Sequence, residues 1–394
     1  MRIALSVETF LPKIDGIVNI ACLTLEHLHR HNVSAIILAP EQGVRAYAGA
    51  PVIGVPSIMN PVYPEGRISF PTINTYRAIS DFQPHLVHAI DPGFIGAAAL
   101  LSAKYLGIPT VASYHLSLSK AARDYGLGFL EKPIRAVRIW GFNAVDHALA
   151  PSRRAQALLR SCGVRRVGWW QRGVDSERFH PKYRNADMRQ RLTGGHPDEV
   201  LLLYVGRLAP EKRLDLLKPI LESTPGTRLA LIGDGPHRPY LERFFNGLPV
   251  VFTGYYQGEE LASAYASADI FVFPSLHESF GLVLAEALAS GIPVVSARVG
   301  GAEDVIQHGE TGYIFDVSDT DSFKAYVQLL AANHQQRRQM GEKARRFAET
   351  LSWDEMMCEL IYFYEDIIHE KGHNPNFSPG SRRKSALLEP HPLR

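Results

Sequence analysis

Two glutamates stand eight positions apart around a Phe-Gly pair in the stretch HESFGLVLAE, residues 277–286. The run DIFVFPS before them predicts a strand, and the residues after it predict a helix that begins near Gly281 and ends at Gly291. Glu278 then lies in the connecting loop and Glu286 about two turns into the helix, roughly 12 Å further along its axis. Carboxylates accept hydrogen bonds from hydroxyl groups. The spacing therefore fits a ligand with hydroxyls at both ends.

The amino terminus of that helix is a second chemical feature. The backbone N–H groups of Gly281, Leu282 and Val283 lack intrahelical partners, and the helix dipole is positive at this end, so both attract a diphosphate. A nucleotide-sugar has hydroxyls on its sugar and its ribose with a diphosphate between them, and it matches the whole stretch. The alternative is that Glu278 is an ordinary helix-entry acid and Glu286 a solvated helix residue.

Two basic residues follow another predicted strand in VGRLAPEKRLD, residues 205–215. Arg207 and Lys212 stand just past its carboxyl end, where parallel sheets bind their ligands. The guanidinium fork and the ammonium charge both suit a diphosphate. Taken as an isolated pair of charges, the two residues would carry little functional information.

Three other predicted strand ends carry polar or flexible residues. The glycines and proline of LIGDGP force a turn around Asp234. Gly16 lies between the first strand and its helix, where the backbone could approach phosphate oxygens closely, and the G-x-G-x-x-G pattern of nicotinamide-binding proteins is absent there. His115 ends the strand-like TVASYH and could donate to a developing charge. With 16 histidines in the chain, composition alone favours a structural role for it.

Length and composition bound the class of protein. The chain has 394 residues, 46% of them apolar, which is enough for two ordinary domains. Its longest apolar runs fall short of the roughly 18 residues that cross a bilayer, and its first strand is too short for a signal peptide, so we expect a cytoplasmic protein. Cys22, Cys162 and Cys358 lie far apart and predict neither a disulfide framework nor a metal site.

Strand-like runs alternate with helical patterns through both halves, which predicts an α/β protein with two parallel sheets. We place the boundary near Val174, with domains at residues 1–174 and 175–352. The aromatic-rich pattern at 353–370 predicts a helix that crosses back to the first domain. The Pro-, Ser- and Arg-rich residues 371–394 predict a disordered tail.

The charge is unevenly distributed. Residues 1–180 hold 19 Lys and Arg against 12 Asp and Glu, whereas the remainder holds 23 against 28. In FLEKPIRAVRIWGF, residues 129–142, Arg135 and Arg138 stand among apolar residues and Trp140. This mixture predicts a helix that docks on an anionic membrane surface, each basic residue adding about 1 kcal/mol. The alternative is a core helix whose arginines are merely solvated.

Taken together and in order, VGRLAPEK, LIGDGP, TG, FPSLHESFGLVLAEALASGIPVV and GGAEDVIQHGETGYIF resemble the retaining family 4 glycosyltransferases. The resemblance covers nearly all of residues 1–370. It implies the GT-B fold, in which two Rossmann-like domains have parallel sheets facing across a cleft. It also implies sugar transfer from a nucleotide-sugar with retention of anomeric configuration, without a metal, another cofactor or a covalent enzyme nucleophile.

The resemblance implies a role for each candidate residue. Glu278 would hold hydroxyls of the donor sugar and Glu286 those of the ribose. Arg207 and Lys212 would neutralise the leaving diphosphate, and His115 would lie near the donor sugar. The remaining residues expected to contact the nucleotide-sugar are Gly16, Asp234, Phe280, Gly281, Leu282 and Val283.

Within the family, SYH, DYGLGFLE, WQRGVDSERFHP and GHPDE most resemble the bacterial and plant sulfoquinovosyltransferases. That likeness implies transfer of sulfoquinovose from UDP to diacylglycerol. One departure is that His115-Leu116-Ser117 stands where those enzymes typically have H-T-H. A family 4 transferase that uses GDP-mannose or UDP-glucose on a glycolipid or phosphatidylinositol is the main alternative, ahead of a nucleotide-sugar epimerase or a non-catalytic binder. We expect no nucleic-acid partner.

Overall fold

The structure is a computed structural model, and it divides into two compact units, Met1–Gln171 with Asp354–Arg394, and Arg172–Trp353. The residues that it describes are 1–13, 16–60, 67–115, 131–276, 281–372, 385 and 387; in the helix that begins at 131, the side chains of 131–135 and 137 are not described.

The first unit is built on an eight-stranded sheet and a separate two-stranded ribbon. The described strands of this unit are β1 (Arg2–Val7), β2 (Ser34–Pro40), β3 (Ala46–Tyr47), β4 (Ala50–Val55), β5 (Ser57–Met59), β6 (Arg67–Ser69), β7 (Leu86–Ile90), β8 (Thr110–Ser113), β9 (His147–Ala150) and β10 (Val167–Trp169). The sheet order is β10-β9-β8-β7-β1-β2-β4-β3, parallel except for β3, and β5 pairs with β6 in a separate antiparallel ribbon. The helices are α1 (Gly16–Arg30), α2 (Ile73–Phe82), α3 (Phe94–Tyr105), α4 (Glu131–Ala144) and α5 (Arg153–Ser161).

Strand β1 is central and almost wholly buried, as its apolar run IALSV requires of a strand covered on both faces. Ile3 pairs with Ala35 of β2 on one side and with Leu86 of β7 on the other. The chain thus builds outward from β1 in one direction and then in the opposite direction. The strand order reverses between β1 and β7, and ligands of such sheets bind outside the carboxyl ends of those strands.

The second unit has a six-stranded parallel sheet. Its strands are β11 (Val200–Val205), β12 (Thr227–Ile232), β13 (Val250–Gly254), β14 (Ile270–Phe273), β15 (Val294–Ala297) and β16 (Gly312–Phe315). The order β13-β12-β11-β14-β15-β16 is the doubly wound order of Rossmann folds. Its helices are α6 (Ala186–Leu192), α7 (Lys218–Ser223), α8 (Arg238–Phe244), α9 (Gly258–Ala266), α10 (Leu282–Ala289), α11 (Ala302–Val305), α12 (Thr320–Ala332) and α13 (His334–Ala348), with short 3-10 turns at Pro181–Tyr183, Pro210–Lys212 and Leu214–Leu217.

Helix ends in both units follow local chemistry. The side chains of Thr72, Ser152 and Asn333 accept hydrogen bonds from the first turns of α2, α5 and α13. Helix α10 begins after Gly281, whose φ is +88°, and Gly291 has φ +73° just beyond its end. The predicted helix at this position is therefore confirmed, as are the α/β class and the two parallel sheets.

The last helix, α14 (Trp353–Glu370), belongs to the first unit from Asp354 onward. It buries Leu360, Phe363 and Tyr364, and the Asp354 carboxylate accepts a hydrogen bond from His27 of α1 at 2.7 Å. These contacts hold the helix on the first unit.

Two residues of the tail are described, Ser385 and Leu387, and both are buried. The hydroxyl of Ser385 donates to Glu359 of α14 at 2.9 Å. The rest of 373–394, to which the prediction of disorder applies, lies outside the described residues. No helix in the described part of the chain is both long enough and apolar enough to cross a membrane.

Candidate functional site

Strands β11 and β14 are neighbours at the point where the second sheet reverses its order. The chain leaves β11 through Gly206 and Arg207, and it leaves β14 through Ser275 toward α10. The backbone N–H of Leu276 donates to the carbonyl of Glu211 at 2.9 Å and joins the two segments. The edge where such sheets bind ligands is thus formed by the two motifs that the sequence singled out.

Both predicted cations lie on the segment that follows β11. Arg207 Nη2 lies 2.6 Å from Glu211 Oε1, and both side chains are partly exposed. Lys212 Nζ lies 5.4 Å from the centre of the Phe273 ring at the end of β14. The hydroxyl of Tyr204 donates to the Arg207 carbonyl at 3.0 Å. Glu211 was missed by the sequence reasoning, and its four-residue spacing from Arg207 was the signal that could have found it.

The amino terminus of α10 presents backbone donors. Gly281 is the N-cap in the left-handed region, with ψ 57°. The N–H of Leu284 donates to the Gly281 carbonyl at 2.9 Å, whereas those of Leu282 and Val283 precede the first intrahelical bond. The side chains of Leu282 and Val283 are half-buried. The helix therefore offers N–H groups and its positive dipole end to an anion.

Glu286 is fixed by a residue from another helix. The Tyr265 hydroxyl of α9 donates to Glu286 Oε2 at 2.8 Å, and Tyr265 is fully buried. Burial raises the pKa of Glu286, while the Tyr265 hydroxyl and the charge of Arg178 act in the opposite direction. Among the described residues, Oε1 accepts no hydrogen bond. Glu286 is thus a held carboxylate with one oxygen available to a ligand, and it is not a solvated helix residue.

Asp234 lies in the turn after β12, as predicted. Its Oδ1 accepts from the Gly235 N–H at 2.7 Å, and its Oδ2 lies 3.1 Å from Arg238 Nη1. Its carbonyl accepts from the backbone N–H of Leu208 at 2.9 Å, which ties the turn to the Arg207 segment. The carboxylate is therefore already paired, and the turn places backbone rather than free charge at the edge of the sheet.

The first unit holds two of the predicted residues. His115 follows β8 and is buried; its Nε2 lies 2.8 Å from Ser113 Oγ, and its N–H donates to Asp91 Oδ1 at 3.3 Å. Gly16 is the exposed first residue of α1, and a Cβ built there would meet no atom of the described residues within 4 Å. Packing among the described residues therefore does not require glycine at this position.

Two acidic residues at the same edge of the first sheet were not predicted. Glu8 follows β1, and its Oε1 accepts from the N–H groups of Gly93 and Gly96 at 3.1 and 3.0 Å. Burial raises the pKa of Glu8. Asp91 follows β7 with φ +54°. The signal for Asp91 was the Asp-Pro-Gly turn directly after a strand-like run.

One prediction is wrong. Arg138 was expected to face an anionic membrane, but its side chain is only 11% exposed and its Nη2 lies 2.5 Å from Asp91 Oδ1. Its guanidinium carbon lies 5.3 Å from the centre of the Tyr114 ring. A charge-assisted hydrogen bond to the buried Asp91 carboxylate holds the guanidinium inside the unit. Trp140, on the same helix, is 66% exposed, and the side chain of Arg135 is not described.

The remaining predicted residues, Glu278 and Phe280, lie outside the described residues. Within the second unit the structure brings Arg207, Lys212 and the start of α10 to one edge of the sheet, while His115 and Gly16 belong to the first unit. In the described part of the chain, no three His, Cys, Asp or Glu side chains form a group that could hold a metal.

Two family models match the chain in succession. The one described as Glycosyltransferase Family 4 matches residues 14–178, and the one described as Glycosyl transferases group 1 matches residues 190–347. Together they cover every strand of both units except β1, which precedes the first match.

Similar proteins are found over most of the chain. Sulfoquinovosyl transferase SQD2 of Arabidopsis thaliana is 37% identical over 361 residues, covering 89% of this chain and 71% of the plant protein. A GDP-mannose-dependent alpha-mannosyltransferase of Mycobacterium tuberculosis is 36% identical over 380 residues, covering 93% and 97%. Among solved structures, sucrose-phosphate synthase of Thermosynechococcus elongatus superposes with a TM-score of 0.76 at 20% identity, covering 94% of this chain and 99% of that one.

Proposed function

The chain belongs to the family 4 glycosyltransferases, has their GT-B fold and uses a nucleotide-sugar as a hexosyl donor, and we propose that it transfers sulfoquinovose from UDP-sulfoquinovose to diacylglycerol with retention of configuration. The observation that carries the proposal is the edge between β11 and β14. There Arg207, Lys212 and the start of α10 come together, and two cations beside backbone donors suit the diphosphate of a donor.

Each part of the donor meets a group suited to it. Arg207 and Lys212 attract the diphosphate, for which Arg207 exchanges its bond to Glu211. The N–H groups at the start of α10 bind the same phosphates. The free Oε1 of Glu286 accepts from a ribose hydroxyl while Tyr265 holds Oε2.

The proposed reaction breaks the bond between the anomeric carbon and the phosphate oxygen. The electron pair leaves with the nucleoside diphosphate, whose negative charge Arg207 and Lys212 stabilise. The acceptor hydroxyl oxygen bonds to the anomeric carbon from the same face, and its proton passes to the departing phosphate oxygen. This route retains configuration and uses neither a covalent enzyme intermediate nor a metal or other cofactor.

The choice of sulfoquinovose and UDP is supported by likeness to the plant sulfoquinovosyl transferase and by the Trp-Gln-Arg-Gly-Val-Asp segment at residues 170–175. The mannosyltransferase is nearly as similar and matches over more of its own length. Transfer of mannose from GDP-mannose is therefore the second candidate function.

A donor panel separates the two candidates. Purified protein is incubated with diacylglycerol vesicles and UDP-sulfoquinovose, UDP-glucose or GDP-mannose in turn, and the lipid product is identified by mass spectrometry. We expect product from UDP-sulfoquinovose at a rate at least about tenfold above either other donor, the discrimination that a few pocket contacts supply. Product from GDP-mannose alone would establish the second candidate in its place.

A lipid acceptor also requires access to a membrane, and we propose that the outer face of α2 and α3 provides it. Phe94, Leu101 and Tyr105 are 61%, 59% and 82% exposed and lie seven and four residues apart, on one face of α3. Helix α2 packs against α3, since the ring centre of its Tyr76 lies 5.9 Å from that of Tyr105, and its Ile73 is also exposed. A contiguous exposed apolar face of this kind is typical of an interaction surface.

The charges around this α2–α3 face favour an anionic bilayer. Arg77 and Lys104 are exposed on the same two helices against one exposed acid, Asp81. The balance is one positive charge, and each basic residue near such a surface adds about 1 kcal/mol of attraction. In vesicle flotation, a Phe94→Ser/Leu101→Ser variant should lose most of its binding. Leu329→Ser, at an exposed leucine of the second unit, is the matched control and should bind like the parent. Undiminished flotation of the double variant would reject this surface.

A further inference from the structure

Four buried polar side chains of the first unit form one hydrogen-bonded chain that reaches His115. Tyr364 Oη lies 2.5 Å from His88 Nδ1, His88 Nε2 lies 2.9 Å from Ser113 Oγ, and Ser113 Oγ lies 2.8 Å from His115 Nε2. All four side chains are buried. The chain runs from the C-terminal helix α14, through β7 and β8, to the carboxyl edge of the sheet.

A histidine in the middle of a central strand, such as His88, costs free energy because its polar ring is buried. Its neighbours on β7 are apolar and fully buried, and a polar ring in such surroundings is tolerated only when its nitrogens are hydrogen-bonded. The Trp170 ring, from the distinctive Trp-Gln-Arg segment, lies 6.1 Å from the His88 ring, and its indole N–H donates to the Met356 carbonyl at 3.3 Å. Packing therefore fixes the orientation of the imidazole.

The order of donors along this chain follows from its chemistry. A phenol is a stronger donor and a weaker acceptor than an aliphatic hydroxyl, so Tyr364 donates to Nδ1 of His88. The other nitrogen of His88 then carries the proton and donates to Ser113, whose hydroxyl donates to Nε2 of His115. The proton of a neutral His115 is thereby placed on Nδ1, and that nitrogen becomes the donor.

The main chain of His115 is fixed as well. Its N–H donates to Asp91 Oδ1, which also lies 2.5 Å from Arg138 Nη2. Residues of β7, β8 and α14 thus hold the ring nitrogen of His115. A different set, the Asp91–Arg138 pair, holds its backbone. Such double fixing is what a side chain needs to meet a substrate in one geometry.

We propose that Tyr364, His88 and Ser113 are positioning residues that keep His115 in its Nδ1–H tautomer, the form in which His115 serves as a hydrogen-bond donor to a hydroxyl of the donor sugar. This inference rests on the proposed function, because it assigns His115 to the donor sugar. Through Tyr364, it makes the C-terminal helix a contributor to the position of His115.

The tautomer can be measured without any substrate. In protein labelled with 15N-histidine, long-range 1H–15N spectra distinguish a protonated ring nitrogen from an unprotonated one, and His115→Gln identifies the His115 signals. We expect Nδ1 to be protonated in the parent and the Nε2-protonated form to gain population in Ser113→Ala and Tyr364→Phe. Ser113→Thr, which keeps a hydroxyl, should restore the parent pattern.

Matched controls use the same substitutions outside the chain. Tyr362→Phe removes a hydroxyl from a partly exposed tyrosine of α14, and Ser102→Ala removes one that donates to the Ala98 carbonyl within α3. Both should leave the His115 signals unchanged. An unaltered tautomer in Ser113→Ala and Tyr364→Phe, both folded by circular dichroism, would overturn the positioning role.

Kinetics then separate this inference from the function on which it rests. With a donor that supports turnover, Ser113→Ala and Tyr364→Phe should lower kcat about ten- to hundredfold with less than a twofold change in KM for the donor, as expected for lost alignment. A shifted tautomer without turnover from any donor would contradict the proposed function and leave the positioning of His115 intact. A shifted tautomer with parental kcat would overturn the assignment of His115 to the sugar.

Discussion

Each ionisable side chain described at the carboxyl edge of the second sheet has a specific partner. Arg207 is paired with Glu211, Glu286 accepts from Tyr265, and Lys212 lies over the Phe273 ring. A bound diphosphate would compete with Glu211 for Arg207 and would add charge beside Lys212. The residues are therefore held near their working positions before a ligand arrives, which limits the entropy lost on binding.

Removing either cation should slow transfer. Arg207→Ala and Lys212→Ala should each lower kcat about 10²- to 10³-fold, equivalent to roughly 3–4 kcal/mol of lost transition-state stabilisation, with the thermal unfolding midpoint nearly unchanged. Arg338→Ala breaks an exposed pair of the same four-residue spacing on α13 and should keep parental kcat. Near-parental turnover in both Arg207→Ala and Lys212→Ala at saturating donor would show that neither residue stabilises the leaving diphosphate.

Glu286 and Glu278 should differ in what they bind. Glu286→Ala should weaken binding of the free nucleoside diphosphate in calorimetry, because it removes an acceptor for the ribose. Glu278→Ala should leave that affinity nearly unchanged and weaken binding of the nucleotide-sugar. Equal loss of diphosphate affinity in the two variants would contradict this division.

The raised pKa of Glu286 gives its role a pH signature. Accepting from a ribose hydroxyl requires the carboxylate, so nucleoside diphosphate affinity should fall as the pH drops through this raised pKa, at a higher pH than an ordinary glutamate would produce. The same shift means that the folded protein binds this proton more tightly than the unfolded chain, so its contribution to stability grows as the pH falls. Calorimetry across the acid range should show the decline in the parent and a flatter profile in Glu286→Gln.

The positions of Arg207, Lys212 and Asp234 could be predicted from the sequence because each follows a strand, and parallel strands bring their carboxyl ends to one edge of the sheet. The Tyr265–Glu286 bond joins α9 to α10 across 21 positions, and no local pattern encodes it. The prediction for Arg138 failed for the same reason. The composition of residues 129–142 suited a helix that lies on a membrane surface, and only the fold shows that Asp91 lies beside Arg138.

At the scale of elements, two glycines that the sequence singled out, one in each unit, have different reasons to be glycine. Gly281 must adopt φ +88° to start α10. Gly16 starts α1, and no atom of the described residues would meet a Cβ placed there. The backbone conformation requires the first glycine, and we expect a ligand to be the reason for the second.

Alanine at each position separates these reasons. Gly281→Ala should lower the free energy of unfolding by about 1–2 kcal/mol, the cost of a left-handed non-glycine residue, and should also reduce activity. Gly16→Ala should leave stability within about 0.5 kcal/mol yet raise KM for the donor if phosphate oxygens approach this backbone. Unchanged donor kinetics in Gly16→Ala would exclude that contact.

Helix α4 is held by the buried Asp91–Arg138 pair. Removing one member of a buried pair leaves the other charge uncompensated, so Arg138→Ala should lower the free energy of unfolding by about 3–5 kcal/mol. Tryptophan fluorescence in urea reports this, because Trp140, Trp169 and Trp170 all lie in the first unit. The control Arg338→Ala, at an exposed residue, should lower the free energy of unfolding by no more than about 0.5 kcal/mol. An equally small loss in Arg138→Ala would mean that the Asp91–Arg138 pair is not buried in solution.

At the scale of the whole molecule, the alternation of strands and helices was enough to predict two parallel sheets, because crossover connections leave few other arrangements. The ordering of strands about β1 and β11 was not read from the sequence, since every buried strand carries a similar apolar run. The buried chain from Tyr364 to His115 was also beyond sequence reasoning. It joins residues more than 200 positions apart that meet only after folding.

The central proposal is that the chain moves sulfoquinovose from UDP-sulfoquinovose to diacylglycerol with retention of configuration. The most direct test incubates the protein with UDP-sulfoquinovose and diacylglycerol vesicles, with Arg207→Ala as the inactive control, and follows UDP and glycolipid together. We predict equimolar UDP and sulfoquinovosyl diacylglycerol, with the anomeric configuration of the donor retained in the product by NMR. UDP release without any glycolipid, or a product of inverted configuration, would contradict it.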